Sequence, residues 1–94
     1  MRELLFTPRF DRLFRSLPKD IRERAYEKLA LYLQDPAHPS LRVKRVKGSP
    51  GIWEMSVTMS IRITFQVEGE KVLLRRIGTH EILRRHNMPV PFPP

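Results

Sequence analysis

The sequence predicts an α+β fold of order β-α-α-β-β-β-β. A twisted, mainly antiparallel sheet carries an N-terminal helical hairpin on one face, and a short C-terminal helix follows. Three observations predict it. Residues 51–77 hold three runs of alternating apolar residues separated by short polar breaks, the pattern of a β-meander. Between Phe10 and Leu33 the apolar positions recur instead at three- and four-residue steps, as on amphipathic helices. A short apolar run, residues 2–6, precedes both.

Residues 2–6 (RELLF) read as a strand that ends at Thr7-Pro8. Thr7 can cap the next helix, with Pro8 at its first position, where a missing N–H costs nothing. Phe10, Leu13, Phe14 and Leu17 then form the stripe of a short helix. Leu17-Pro18 breaks it and restarts a second, with Asp20 favourably placed in its first turn. Ile21, Ala25, Leu29 and Leu33 run down the second helix beside Tyr26, Ala30 and Tyr32. Arg22, Glu23, Arg24, Glu27 and Lys28 make its solvated face.

Two prolines in residues 35–40 stop the helix. Residues 41–47 (LRVKRVK) set Val43 and Val46 among four cations; alternation fails there, which predicts a strand with an irregularity or an early end. In the meander, Trp53, Met55 and Val57 share a face with Ile61, Ile63, Phe65 and Val67, which makes Trp53 a core residue. Glu54, Ser56, Arg62, Thr64 and Gln66 take the opposite face, which is expected to be solvated and available for function. Residues 68–70 form a hairpin turn, and residues 71–77 return with Val72, Leu73, Leu74 and Ile77. Thr79 can cap a terminal helix over residues 80–86, and the proline-rich residues 87–94 are expected to be extended or disordered. The expectation is one domain over residues 1–94.

Composition narrows the function. Cysteine is absent, so disulfides and thiolate metal sites are excluded. No apolar run approaches membrane-spanning length and the first residues lack the apolar core of a signal peptide, which makes a cytoplasmic protein with no membrane partner the expectation. The net charge of +8 favours polyanions, nucleic acid or an acidic protein, and 13 of the 18 basic residues are Arg, the better phosphate fork. An Arg-heavy, Cys-free, Pro-rich chain also fits a heat-adapted surface.

In that order of elements, the residues resemble the RelE/ParE superfamily of type II toxin–antitoxin toxins. The resemblance rests on Phe10-x-x-x-Phe14-x-x-Leu17-Pro18, on Asp35-Pro36, on L-R-V-K-R-V-K-G at residues 41–48, on G-I-W at 51–53, on R-I-T-F-Q-V at 62–67 and on I-G-T-H-E at 77–81. It implies the RelE-like fold and, for the RelE branch, a ribosome-dependent mRNA endoribonuclease that needs no metal or other cofactor. Products would carry a 2′,3′-cyclic phosphate and a 5′-hydroxyl. It further implies a separately encoded acidic antitoxin, the ribosome and mRNA as partners, and operator DNA only through the antitoxin complex. ParE-like members instead bind gyrase without catalysis, and other relatives persist only for antitoxin or operator binding.

The chemistry asks for a base at the 2′-oxygen, cations at the phosphate and an acid at the departing 5′-oxygen. The resemblance puts Arg62 at the family's phosphate-binding strand arginine. His80, and behind it His86, are the proton-transfer candidates, since imidazole titrates near neutral pH. Glu54 stands where many relatives carry Lys or Arg; it is a candidate carboxylate base or a partner that holds Arg62. Lys44, Arg45 and Lys47 form the densest basic cluster and, with Arg76, are the candidate RNA-binding residues. Three scattered His and no clustered carboxylates give no metal-ligand spacing.

Overall fold

A computed structural model describes residues 2–79. Its elements are β1 (Glu3–Phe6), α1 (Pro8–Arg15), α2 (Lys19–Gln34), β2 (Lys44–Arg45), β3 (Trp53–Ser56), β4 (Ile61–Glu68) and β5 (Lys71–Thr79), with a single 3-10 turn at Pro39–Leu41. The sheet order is β1-β5-β4-β3-β2; β1 lies parallel to β5 and every other pairing is antiparallel. This is the α+β arrangement the sequence predicts. The terminal helix and the proline-rich tail fall outside the described residues.

Thr7 joins helix to sheet. Its Oγ1 accepts from the Phe10 N–H at 3.1 Å and donates to the Leu74 carbonyl at 2.8 Å. One hydroxyl thus caps α1, a contact worth about 1 kcal/mol, and fixes that helix start over β5. Phe10 and Phe14 then turn their rings inward, into a core shared with Met55, Ile63, Phe65, Leu74 and Ile77 of the sheet. The ring series Phe6, Phe10, Phe14, Tyr26 continues it, with centroids 5.6, 6.0 and 5.0 Å apart.

On α2 the buried residues are Ala25, Leu29 and Tyr32, whereas Leu33 is largely exposed. The expected stripe through Leu33 is therefore one position out. Successive four-residue steps drift off the 3.6-residue period, which from Ala25 and Leu29 continues to Tyr32; there the ring meets Phe65 edge-on at 5.3 Å. The expected strand over 41–47 shrinks to Lys44–Arg45 because the 3-10 turn uses its first residue. Arg42 then takes a left-handed conformation, φ 48°, which no strand continues.

The β4–β5 hairpin closes through Gly69 and Glu70, with Gly69 at φ 60° as a two-residue connection requires. Further along, the register shifts: Thr64 pairs with Arg76 but Phe65 with Leu74. Arg75 is the extra residue of a β-bulge. That bulge lets Val72, Leu74 and Ile77 all face the core despite a three-residue step between the last two.

The opposite sheet face differs from the expectation of a solvated surface. Glu54, Ser56, Thr64, Gln66 and Arg75 are all buried. The pleat does direct them away from the helices, so their burial separates which way a side chain points from whether water reaches it.

Candidate functional site

Register assembles a polar row across four strands. Lys44 pairs with Glu54, Glu54 with Thr64, and Thr64 with Arg76. Paired residues of an antiparallel sheet share a face, so all four project on the side away from the helices. At about 4.8 Å per strand, the row runs roughly 14 Å from Lys44 to Arg76. A carboxylate stands inside it with a cation at each end.

Glu54 is 5 % exposed, and its Oε1 lies 3.4 Å from Lys44 Nζ. Lys44 is thus the ion-pair partner; the expected pairing of Glu54 with Arg62 is not the one formed, since Arg62 lies opposite Ser56, two positions along β4 from Thr64. Thr64 Oγ1, beside Glu54, is buried and makes no hydrogen bond with the described residues. Leaving a hydroxyl so costs about 1–3 kcal/mol.

Arg62 sits at the start of β4, one residue after its first. Its Nη1 donates to the carbonyls of Thr58 at 2.6 Å and Met59 at 2.9 Å, with Ile61 at 3.4 Å. The guanidinium is anchored to the β3–β4 turn. Such anchoring fixes a rotamer-rich side chain before any ligand arrives, and the fork retains other N–H groups for an anion.

Arg76 belongs to a cationic group that composition did not locate. Burial lowers its pKa from the ordinary guanidinium value, and the charge of Arg9 on α1 lowers it further. Arg75 is lowered likewise, first by burial and then by Arg76. Arg76 thus lies in the like-charge field of both Arg9 and Arg75, and its guanidinium is the cation at that end of the row. Neither Thr64 nor Arg9 stood out in the sequence. The unequal apolar spacing of β5, from Leu74 to Ile77, is the signal that would have revealed the bulge and placed Arg76 opposite Thr64.

The remaining candidates separate. Arg45 follows Lys44 on β2 and therefore points to the other face, where its guanidinium lies 5.0 Å from the Trp53 ring centroid. Lys47 is exposed in the turn after β2. The basic cluster of the sequence is split by the pleat, and only Lys44 joins the row. His80 and His86 lie outside the described residues. Among those described, no group of three His, Asp or Glu side chains is placed to hold a metal ion, and no helix is long and apolar enough to cross a membrane.

No protein-family model and no curated protein matches this sequence. Solved structures do. YafQ from E. coli BL21(DE3) is 14 % identical with a TM-score of 0.74, over 88 % of this chain and 98 % of its own. The RelB–RelE antitoxin–toxin complex from Methanococcus jannaschii has a chain 20 % identical at TM-score 0.70, covering 85 % of this chain and 94 % of that one. The YoeB/ParE toxin from Agrobacterium tumefaciens is 15 % identical at TM-score 0.69, over 85 % and 99 %. The likeness is one of fold over nearly the full length: this chain has the fold seen in these YafQ, RelE and YoeB/ParE toxin structures.

Proposed function

We propose that residues 1–94 form one toxin domain that cleaves mRNA on the ribosome in the cytoplasm, without a metal. The observation that supports this reading is the Lys44–Glu54–Thr64–Arg76 row with Arg62 on the same sheet face. In the proposed reaction the scissile phosphate lies against Arg62 and Arg76. Glu54, or His80, takes the proton from the 2′-oxygen as that oxygen attacks the adjacent phosphorus in line. The guanidinium groups carry the added negative charge of the phosphorane-like state. His80, with His86 behind it, returns a proton to the departing 5′-oxygen, leaving a 2′,3′-cyclic phosphate and a 5′-hydroxyl. Lys44 and Lys47 hold the strand by charge.

The ribosome supplies positioning that so small a site lacks. An acidic antitoxin neutralises the basic surface, and operator DNA is met only through that complex. The test is cleavage of a ribosome-bound message by the purified chain, compared with its Arg62→Ala and Glu54→Gln variants. Cleavage that both variants retain contradicts the assignment.

A second reading has its own observation. Glu54 is already neutralised by Lys44, and Arg62 Nη1 is already taken by turn carbonyls. A site whose charges are satisfied internally suits a non-enzymatic toxin of the ParE kind, or a relative kept for antitoxin binding. DNA breaks with intact messages identify the former, and harmless expression of folded protein the latter.

A further inference from the structure

An open apolar pocket of about 300 Å³ lies where the C-terminal end of α2 meets the sheet, on the helix side and so on the face opposite the polar row. Its walls are Tyr32, Val43, Trp53, Phe65 and Val67, closed by Pro36-Ala37 after α2. Two arginines stand beside it, each over one of its aromatic rings. The Arg2 guanidinium carbon is 5.5 Å from the Tyr32 ring centroid, and Arg2 Nη1 donates to the Tyr32 hydroxyl at 3.0 Å. Arg45 lies 5.0 Å from the Trp53 centroid. Burial raises the Tyr32 pKa while Arg2 opposes it, and the phenol stays a neutral aromatic wall.

Trp53 is only partly buried here. It packs against the core and also lines the pocket. The volume admits one planar base or one bulky side chain. Charge decides between them. The charged lining group and its counterpart over Trp53 are both guanidiniums, which neutralise anions and stack on π-faces. A polynucleotide brings a flat apolar face and an anion with every residue, whereas a peptide does so only in a special sequence. The net charge of +8 adds long-range attraction for such a strand.

We propose that this pocket seats one unpaired base of single-stranded RNA, with the flanking phosphates on Arg2 and Arg45. The choice of ligand rests on the RNA-directed reading above. The strand thereby crosses the β2 edge of the sheet, where Lys44 faces the polar row and Arg45 faces the pocket. An extended anchor of this kind adds affinity and register without touching the reacting phosphate.

The experiment uses the full chain, no ribosomes, and a short single-stranded RNA carrying 4-thiouridine. Photocrosslinked residues are mapped by mass spectrometry, and affinity is measured alongside. Crosslinks to Trp53 or Tyr32 are expected. The Arg2→Gln/Arg45→Gln variant should bind about tenfold more weakly than the charge-matched Arg12→Gln/Arg24→Gln variant on the helices. Equal weakening by the two variants, or crosslinks confined to the opposite sheet face, overturns the proposal. So does tight binding of an acidic leucine-bearing peptide in the pocket that this RNA fails to displace. Crosslinking through Trp53 by a chain that cuts no message upholds the pocket and refutes the nuclease. Message cleavage without any pocket crosslink does the reverse.

Discussion

Lys44 Nζ stands 3.4 Å from Glu54 Oε1, tying an exposed ammonium on the edge strand to a carboxylate buried within the sheet. The pair makes the edge residue part of the site: without Lys44, Glu54 keeps its burial and loses its nearest counter-charge. Lys44→Ala should cost about 1 kcal/mol, the upper end for a partly exposed pair, because the carboxylate cannot relax into water. Urea unfolding of Lys44→Ala, Glu54→Gln and the double variant should give a coupling of about 0.5–1 kcal/mol. Simple additivity would show that the pair does not contribute.

Arg62 combines a structural and a proposed chemical task, and two variants separate them. Arg62→Ala removes the donor to Thr58 and Met59 carbonyls and should lower stability by about 1 kcal/mol. It should also lower message cleavage by at least ~100-fold, as expected when a preorganised donor to the phosphate is lost. Arg62→Lys keeps the charge but not the fork, so it should recover stability better than cleavage. Thermal unfolding and a ribosome-bound cleavage assay on the same preparations give the two readouts. Equal recovery of both would leave the turn as the sole role of Arg62.

Thr7 is a stability test remote from the chemistry. Thr7→Ala loses the α1 cap and the bond to Leu74, and should cost about 1–2 kcal/mol. Thr7→Ser keeps the hydroxyl and should stay within about 0.5 kcal/mol of the parent. Chemical denaturation measures both; an indifferent Thr7→Ala would remove the helix–sheet tie from the account.

Much of this was legible in the sequence where local chemistry decides. Thr7-Pro8 announced the cap, Phe10 and Phe14 announced the α1 stripe, and the alternation of residues 61–67 announced β4. What stayed hidden depends on register. The partner of Glu54 is set by which residue of β2 lies opposite it, and that follows from a 3-10 turn and a left-handed Arg42 that sequence alone did not show. The Arg75 bulge likewise aligns Arg76 with Thr64. Tyr32, not Leu33, completes the α2 stripe because the 3.6-residue period carries Ala25 and Leu29 on to position 32, where the ring meets Phe65. Side-chain direction was read correctly for Glu54 and Thr64, but their burial is a tertiary property.

Arg76 and Arg9 repel one another near the end of the row, which gives a salt-dependent prediction. Arg76→Gln should reduce the slope of log affinity for single-stranded RNA against log salt by about one. Arg9→Gln should weaken RNA binding while stabilising the free chain slightly, since it relieves repulsion. Filter binding across a salt series tests the first, and unfolding midpoints test the second. An unchanged slope would place Arg76 off the RNA path.

In the proposed function, the sheet face bearing Glu54, Arg62 and Arg76 cuts messages on the ribosome. The direct test is brief induction in a bacterium lacking the antitoxin, with message 5′ ends mapped within minutes. The account predicts new ends at fixed places within codons, absent from an equally expressed Arg62→Ala strain. Arrested growth with intact messages, or the same ends in the Arg62→Ala strain, would contradict it.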